Sequence, residues 1–206
     1  MKPLLPGVLI VAPHPDDESL AAAGVQQNYP DAPVIVVTDG EAARCDTPNL
    51  ASRRRQEARA ARRQLGLSTR QLVFLGLPDG KVASHEPRLQ RLLAAQLPGI
   101  RTLIAPFEHD GHADHDSVGR VCLRLARHHR LRLLRYLIWG WHRYEPAQLR
   151  DARFERLRLN RGECRVKQRA IACFSSQVQG GDDAVIPSHV LSYFERPYEA
   201  FLSGAP

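Results

Sequence analysis

No Cys-x-x-Cys pair occurs in the 206 residues, and the four cysteines, Cys45, Cys122, Cys164 and Cys173, are widely and irregularly spaced. That spacing excludes a zinc knuckle and a dithiol redox motif. Structural, mostly buried thiols in a reducing compartment are expected instead. Aromatic residues make up only 6%, and no recognisable nucleic-acid motif accompanies them, so no nucleic-acid partner is expected. No apolar run approaches the length that crosses a bilayer. The opening stretch from Met1 to Ala12 briefly imitates a signal peptide, but Pro3 and Pro6 interrupt it. A polar cluster also stands where cleavage would fall, so the stretch reads as the approach to a strand, and a cytoplasmic protein is expected. Lysine is nearly missing: Lys2, Lys81 and Lys167 are the only ones among 29 basic residues.

What is abundant is arginine, and the 22 acidic residues leave a formal charge of +7. Guanidinium groups suit anionic ligands through bidentate hydrogen bonds, but a coding preference for arginine explains the same count. Apolar residues at 43% and charged residues at 25% are ordinary for a globular domain and exclude a disordered or collagen-like chain. The length fits one domain over residues 1–206. Its core is large enough that a metal would serve chemistry rather than hold the fold together.

Short β-branched runs alternate with longer helical patterns, the signature of an α/β fold with a mostly parallel sheet. Strands are expected at Val8–Ala12, Pro33–Val37, Leu72–Leu75 and Thr102–Ala105, then at Leu134–Trp139 and Phe154–Leu159. Helices are expected at Glu18–Gln27, Ala51–Leu65, Pro87–Gln96, Asp116–His129 and Glu163–Phe174. From Ser175 onward the chain is rich in Gly, Ser and Pro and reads as loops closing over the sheet.

Polar residues crowd the ends of the strands. Ala12 leads into Pro13-His14-Pro15-Asp16-Asp17-Glu18, Val37 into Thr38-Asp39-Gly40, Gly76 into Leu77-Pro78-Asp79-Gly80, and the fourth strand into Glu108 through His115. In open parallel sheets ligands bind at the carboxyl ends of the strands, so four strands bring His, Asp and Glu to one edge. Imidazole and carboxylate suit Zn²⁺ and, less selectively, Fe²⁺, Co²⁺ or Mn²⁺. His14 and Asp17 stand three apart, as do His112 and His115. The residues alone do not choose between Asp16 and Asp17, or between His112 and His115, as ligands. Glu18 reads as a helix-starting residue, and His109 and Asp110 carry no assigned role.

Pro13-His14-Pro15-Asp16-Asp17-Glu18 together with His112-Ala113-Asp114-His115 resembles the LmbE-like (PIG-L) family of zinc-dependent N-acetylglucosamine deacetylases. Thr38-Asp39-Gly40, Arg54 to Ala58, Leu75 to Gly80 and the late Lys167…Ser176-Gln177 fall in matching order, while Ala22-Ala23-Gly24 and Ala113 depart from the common pattern. The resemblance implies a Rossmann-like three-layer sandwich. It also implies a metal held by His14, Asp17 and His115, with Zn²⁺ expected and Fe²⁺ or another divalent ion as the alternative. Asp16 would be the general base on a metal-activated water, and a protonated His112, oriented by Asp114, would stabilise the oxyanion. Arg54 and Asp79 would contact a small-molecule or glycoconjugate substrate. Arg54 is also readable as part of a solvated helix face or as a partner of Glu57, and Asp79 as a turn residue. The competing functions are hydrolysis of a non-sugar amide or ester at the same site, and a basic binding module built around Arg132, Arg135, Arg143, Trp139, Trp141 and Tyr144.

Overall fold

The computed structural model describes residues 7–43, 47–145, 147–180 and 183–203. Strands β1 (Val8–Ala12), β2 (Val34–Thr38), β3 (Leu72–Leu77), β4 (Thr102–Pro106) and β5 (Arg132–Tyr136) are joined in parallel, and β6 (Phe154–Arg158) and β7 (Tyr198–Leu202) complete one sheet. Its order is β3-β2-β1-β4-β5-β7-β6, with β7 antiparallel to both neighbours. Every residue of β1, β2 and β4 is buried, as strands covered on both faces require.

Alternation along those strands builds two cores. Val8, Ile10, Ala12, Val34 and Val36 pack with residues of α1 (Asp17–Asn28), α2 (Leu50–Gln64) and α6 (Arg161–Ile171). Leu9, Val11, Ile35 and Val37 pack with α3 (Glu86–Ala94) and α4 (Ala113–His129) on the opposite face. The fold is the expected three-layer α/β sandwich. Among the described residues, no helix is long and apolar enough to cross a membrane.

Three expectations need correction. The fifth strand begins at Arg132 and ends at Tyr136, so Trp139 lies beyond it, before the short α5 (Gly140–Arg143). The stretch after Ser175 is more than loop, for it forms the short helices α7 (Ser175–Val178) and α8 (Ser188–Leu191), then β7, which inserts between β5 and β6. Of the cysteines, Cys122 is buried but Cys164 and Cys173 are half-buried, all three as free thiols, while Cys45 lies outside the described residues. Residues 1–6 of the opening stretch are likewise outside them.

The inserted strand carries a buried ion pair. Lys167 Nζ lies 2.9 Å from Glu199 Oε1, and both side chains are almost completely enclosed. Helix α1 breaks at Ala22, with φ −138° and ψ 24°. The Glu199 carboxylate accepts from the N–H groups of Gly24 and Val25 at 2.8 and 3.1 Å, just past the break. A Cβ on Gly24 would stand 2.3 Å from Leu159 Cδ2 and 3.1 Å from Glu199 Oε2, so a larger residue there would require those side chains to shift. Removing one partner of a buried pair strands the other charge. Lys167→Met is therefore expected to lower folding stability by about 3–5 kcal/mol, read from the urea midpoint at an unchanged m-value.

Candidate active site

The segment leaving β1 turns sharply before α1. Asp16 adopts φ 147°, a region that strains an L-residue by about 1–3 kcal/mol. Local hydrogen bonds hold it there. Its carbonyl accepts from Ser19 and Leu20 N–H, both at 2.9 Å, and its own N–H donates to Glu18 Oε2 at 3.0 Å. The His14 N–H donates to Asp17 Oδ2 at 2.9 Å. The turn separates two adjacent carboxylates: Asp16 accepts from Arg54 Nη2 at 2.9 Å, while Asp17 faces the histidines.

Three atoms then come together at the switch between β1 and β4. His14 Nδ1 is 3.4 Å from Asp17 Oδ2, His115 Nε2 is 3.4 Å from the same oxygen, and the two ring nitrogens are 3.2 Å apart. Ligands about 2.0–2.1 Å from a tetrahedral centre are about 3.3–3.4 Å from each other, so this triangle fits a divalent cation. Ligating atoms of His14, His112 and His115, and of His14, Asp79 and Asp114, also lie within 4.8 Å of one another. Both sets share His14 with the triangle.

Outer carboxylates orient both rings, as metal-ligating histidines require. His14 Nε2 lies 3.1 Å from Asp79 Oδ1 and 3.4 Å from Asp114 Oδ2. His115 Nδ1 lies 2.9 Å from Asp110 Oδ2. Asp110 is itself fixed by the N–H groups of Ile138, Trp139 and Gly140, at 2.9–3.1 Å. No local pattern marks that role, because its three donors lie 28–30 residues downstream; its position five residues before a candidate ligand histidine is the one signal the sequence offers. His109 stays outside the site, its ring edge-on to Phe107 and its carbonyl taken by the Tyr144 hydroxyl.

Asp114 has a different set of partners from the one expected. Its carboxylate accepts from Gly80 and Val82 N–H at 2.7 and 3.1 Å, tying the Asp79 loop to α4. It meets His112 only through its backbone N–H, which donates to His112 Nδ1 at 3.3 Å. Burial, then the positive charge of His115 and His14, pushes His112 down to about 4, opposite to the expected direction. The ring is neutral at pH 7, and with Nδ1 accepting, its proton is on Nε2.

Burial also sets the other groups. It raises Asp16 to about 7, with Arg54 holding it back and Asp17 pushing it further up. Burial opposes ionisation of Asp17 too, yet His115 and His14 outweigh it and bring the group down to about 2. For His14 and His115 burial works against the proton, but the surrounding carboxylates prevail and both are raised. Asp79, whose burial opposes ionisation, is held low mainly by His14.

His14, Asp16, Asp17, Asp79 and His112 line a cleft of about 180 Å³ that also meets Arg54, Trp139, Gln177 and Ile186. Arg54 is not on a solvated face and does not pair with Glu57. It is 3% exposed and donates to Gly40 O, Pro15 O and Asp16 Oδ2, each at 2.9 Å. Gly40, at φ 68°, leaves room for that guanidinium, since a Cβ there would stand 1.9 Å from Nη1. Trp139 stacks on His112 with planes 18° apart.

The sequence profile of the PIG-L family, described as GlcNAc-PI de-N-acetylase, matches residues 9–126. The chain belongs to the PIG-L family. That match spans the segments carrying His14, Asp16, Asp17, Arg54, Asp79 and the His112–His115 element. No curated protein matches the sequence. Among solved structures, the conserved protein TT1542 from Thermus thermophilus is similar with a TM-score of 0.71 and 23% identity, over 98% of this chain and 96% of that one. N,N'-diacetylchitobiose deacetylase from Pyrococcus horikoshii gives 0.68 and 19%, over 97% and 84%. GalB, a 4-carboxy-2-hydroxymuconate hydratase from Pseudomonas putida, gives 0.62 and 17%, over 92% and 83%. The likenesses establish the family's fold; one fold that serves both a deacetylase and a hydratase leaves activity to the site.

Glu18 offers a test of the buried electrostatics. It is 2% exposed, accepts from Asp16 N–H and Ser19 Oγ, and burial raises it from 4.5 to about 7. A raised folded-state value means its stabilising contribution is complete below about 4.5 and lost as pH rises through about 7. Glu18→Gln keeps an acceptor for Asp16 N–H without the titration. In chelator-treated protein the variant is expected to match the parent below pH 4.5 and exceed it above pH 7, by up to about 3 kcal/mol, measured by denaturation across pH.

Proposed function

We propose that the chain is a metal-dependent hydrolase that removes an N-acetyl group from an N-acetylglucosamine-type amino sugar or its conjugate. The triangle of His14 Nδ1, Asp17 Oδ2 and His115 Nε2 carries the reading, because its 3.2–3.4 Å edges suit tetrahedral coordination. Zn²⁺ is the first choice, with Fe²⁺ or another divalent ion next. A cation bound there supplies Lewis acidity and lowers the pKa of a water molecule toward neutrality.

The chain's own groups do the rest. Asp16, raised to about 7, is matched to taking a proton from the attacking water and returning it to the leaving amine. Arg54 holds Asp16 in place through Oδ2 and anchors the preceding Pro15 carbonyl. His112 does not need a second proton to act, since its neutral ring presents Nε2–H as a donor to oxyanion charge developing on the acyl oxygen. Asp110, Asp79 and Asp114 keep the two ligand rings oriented. Arg54 and Asp79 line the cleft and remain our choices for substrate contact.

A non-sugar amide or ester would use the same machinery, so substrate choice decides between those readings. The binding-module reading gains little. Arg132 is paired with Glu155 at 2.6 Å and Arg135 with Glu108 at 2.8 Å, which neutralises much of its basic patch.

Metal analysis of the purified protein with acetate release from N-acetylated sugars is the deciding experiment. About one divalent ion per chain with chelator-sensitive acetate release is expected; metal without acetate release would redirect the search to other acyl compounds, and a folded protein that takes up no metal would overturn the proposal. Asp16→Asn should keep the metal and lose about a hundredfold or more in kcat. In the parent, kcat/KM should rise with pH as Asp16 loses its proton, along a limb at or below about 7, since an adjacent cation lowers that group further. The residual activity of Asp16→Asn should lack that limb. His14→Ala should instead lose metal content.

A further inference from the structure

Trp139 lines the cleft beside His112, and the proposed chemistry gives it no part. His112 itself is weakly tethered for a group that must aim a proton. The one hydrogen bond its ring makes among the described residues is the 3.3 Å contact from Asp114 N–H to Nδ1, at the long end of the usual range. Rotation of an imidazole about its Cβ–Cγ bond is soft. A single contact at one nitrogen therefore leaves the other, Nε2, free to swing, and packing has to supply the rest of the aim.

Three rings pack around the imidazole. Those of His14 and His115 lie 4.9 and 5.0 Å away, centroid to centroid, inclined at 79° and 55°. The indole of Trp139 lies 6.2 Å away and within 18° of parallel, a stack inside the usual range of aromatic pairs. A near-parallel neighbour opposes the tilt that the hydrogen bond permits, because tilting drives one edge of the imidazole into the indole and lifts the other away. The indole is itself held. Its backbone N–H donates to Asp110 Oδ2 at 3.1 Å, between those of Ile138 and Gly140. The Arg143 guanidinium stands 5.8 Å from its centroid, within cation–π reach. Asp110 Oδ2 is also the oxygen 2.9 Å from His115 Nδ1, so one carboxylate ties the position of the indole to that of a ligand ring.

We infer that Trp139 is a positioning residue for His112: its indole plane fixes the tilt of the imidazole, so that Nε2–H points at the oxygen on which charge develops. The inference rests on the deacetylase reading, in which His112 is the oxyanion donor, and adds the group that aims it. A side-chain change at Trp139 keeps the backbone N–H on Asp110. The ligand rings are then left in place and the donor alone is loosened.

The test uses the zinc-loaded protein and has a kinetic and a spectroscopic arm. Trp139→Leu should lower kcat for acetate release from the preferred N-acetyl sugar by about ten- to hundredfold, with KM and metal content little changed. Trp139→Phe, which keeps a flat ring against the imidazole, should lose a smaller factor. In a His112→Ala background, Trp139→Leu should cost less than about twofold, because the donor it aims is gone. Nitrogen NMR should show His112 protonated at Nε2 in the parent at neutral pH and a mixture of tautomers in Trp139→Leu. An equal loss in both backgrounds, or a tautomer that Trp139→Leu leaves unchanged, would make Trp139 a packing or substrate-contact residue and overturn the inference. If the leucine variant does not fold, Trp139→Phe takes its place in both arms. A parent enzyme that releases no acetate would overturn the deacetylase reading, and the tautomer measurement, which needs no substrate, would still decide whether Trp139 holds the ring.

Discussion

Carboxylates buried side by side demand positive charge among them, and that demand organises the carboxyl edge of this sheet. Asp17, Asp79, Asp110 and Asp114 all lie within 3.4 Å of a nitrogen of His14 or His115. The carboxylates raise both histidines although burial works against a proton on either ring. A divalent cation in the same triangle would meet the demand and needs a lone pair from each ring, so metal and protons compete for the same nitrogens. The fold supplies the geometry: β1 and β4 are neighbours, and the chain leaves them toward opposite faces of the sheet.

Much of this is legible in the sequence, and the parts that are not share a cause. Strands β1, β2 and β4 are apolar at nearly every position because both faces are covered, so their runs stand out. The start of β5 is hidden because Arg132 and Arg135 look out of place in a sheet; Glu155 and Glu108 receive them there. Strand β7 escapes the pattern because Glu199 interrupts its apolar run, and the lysine that makes this tolerable is 32 residues earlier. Periodicity reports neighbours along the chain, not partners across it.

The same distinction divides the site. His14, Asp16, Asp17, His112 and His115 sit in two compact clusters, and the tertiary structure brings them together. Arg54 belongs to a helix whose arginine run reads as solvent-facing, and only the close passage of the Pro15 and Gly40 carbonyls explains its burial. The position of Asp114 beside His112 points to the wrong ring, because on a helix N-terminus the backbone N–H and the carboxylate take separate partners. Asp110 acquires its role from a segment the sequence order keeps apart.

The insertion of β7 between β5 and β6 bears on how the chain reaches its native state. Strand β6 emerges before β7, yet its sheet neighbour among the described strands is β7, through a register running from Phe154↔Leu202 to Arg158↔Tyr198. Strands β1 to β5 can assemble as a parallel unit while β6 waits unpaired. Lys167 meanwhile has no carboxylate to bury against until Glu199 arrives. Closing the sheet, capping the broken helix and burying the lysine therefore all depend on one strand, β7, being in place.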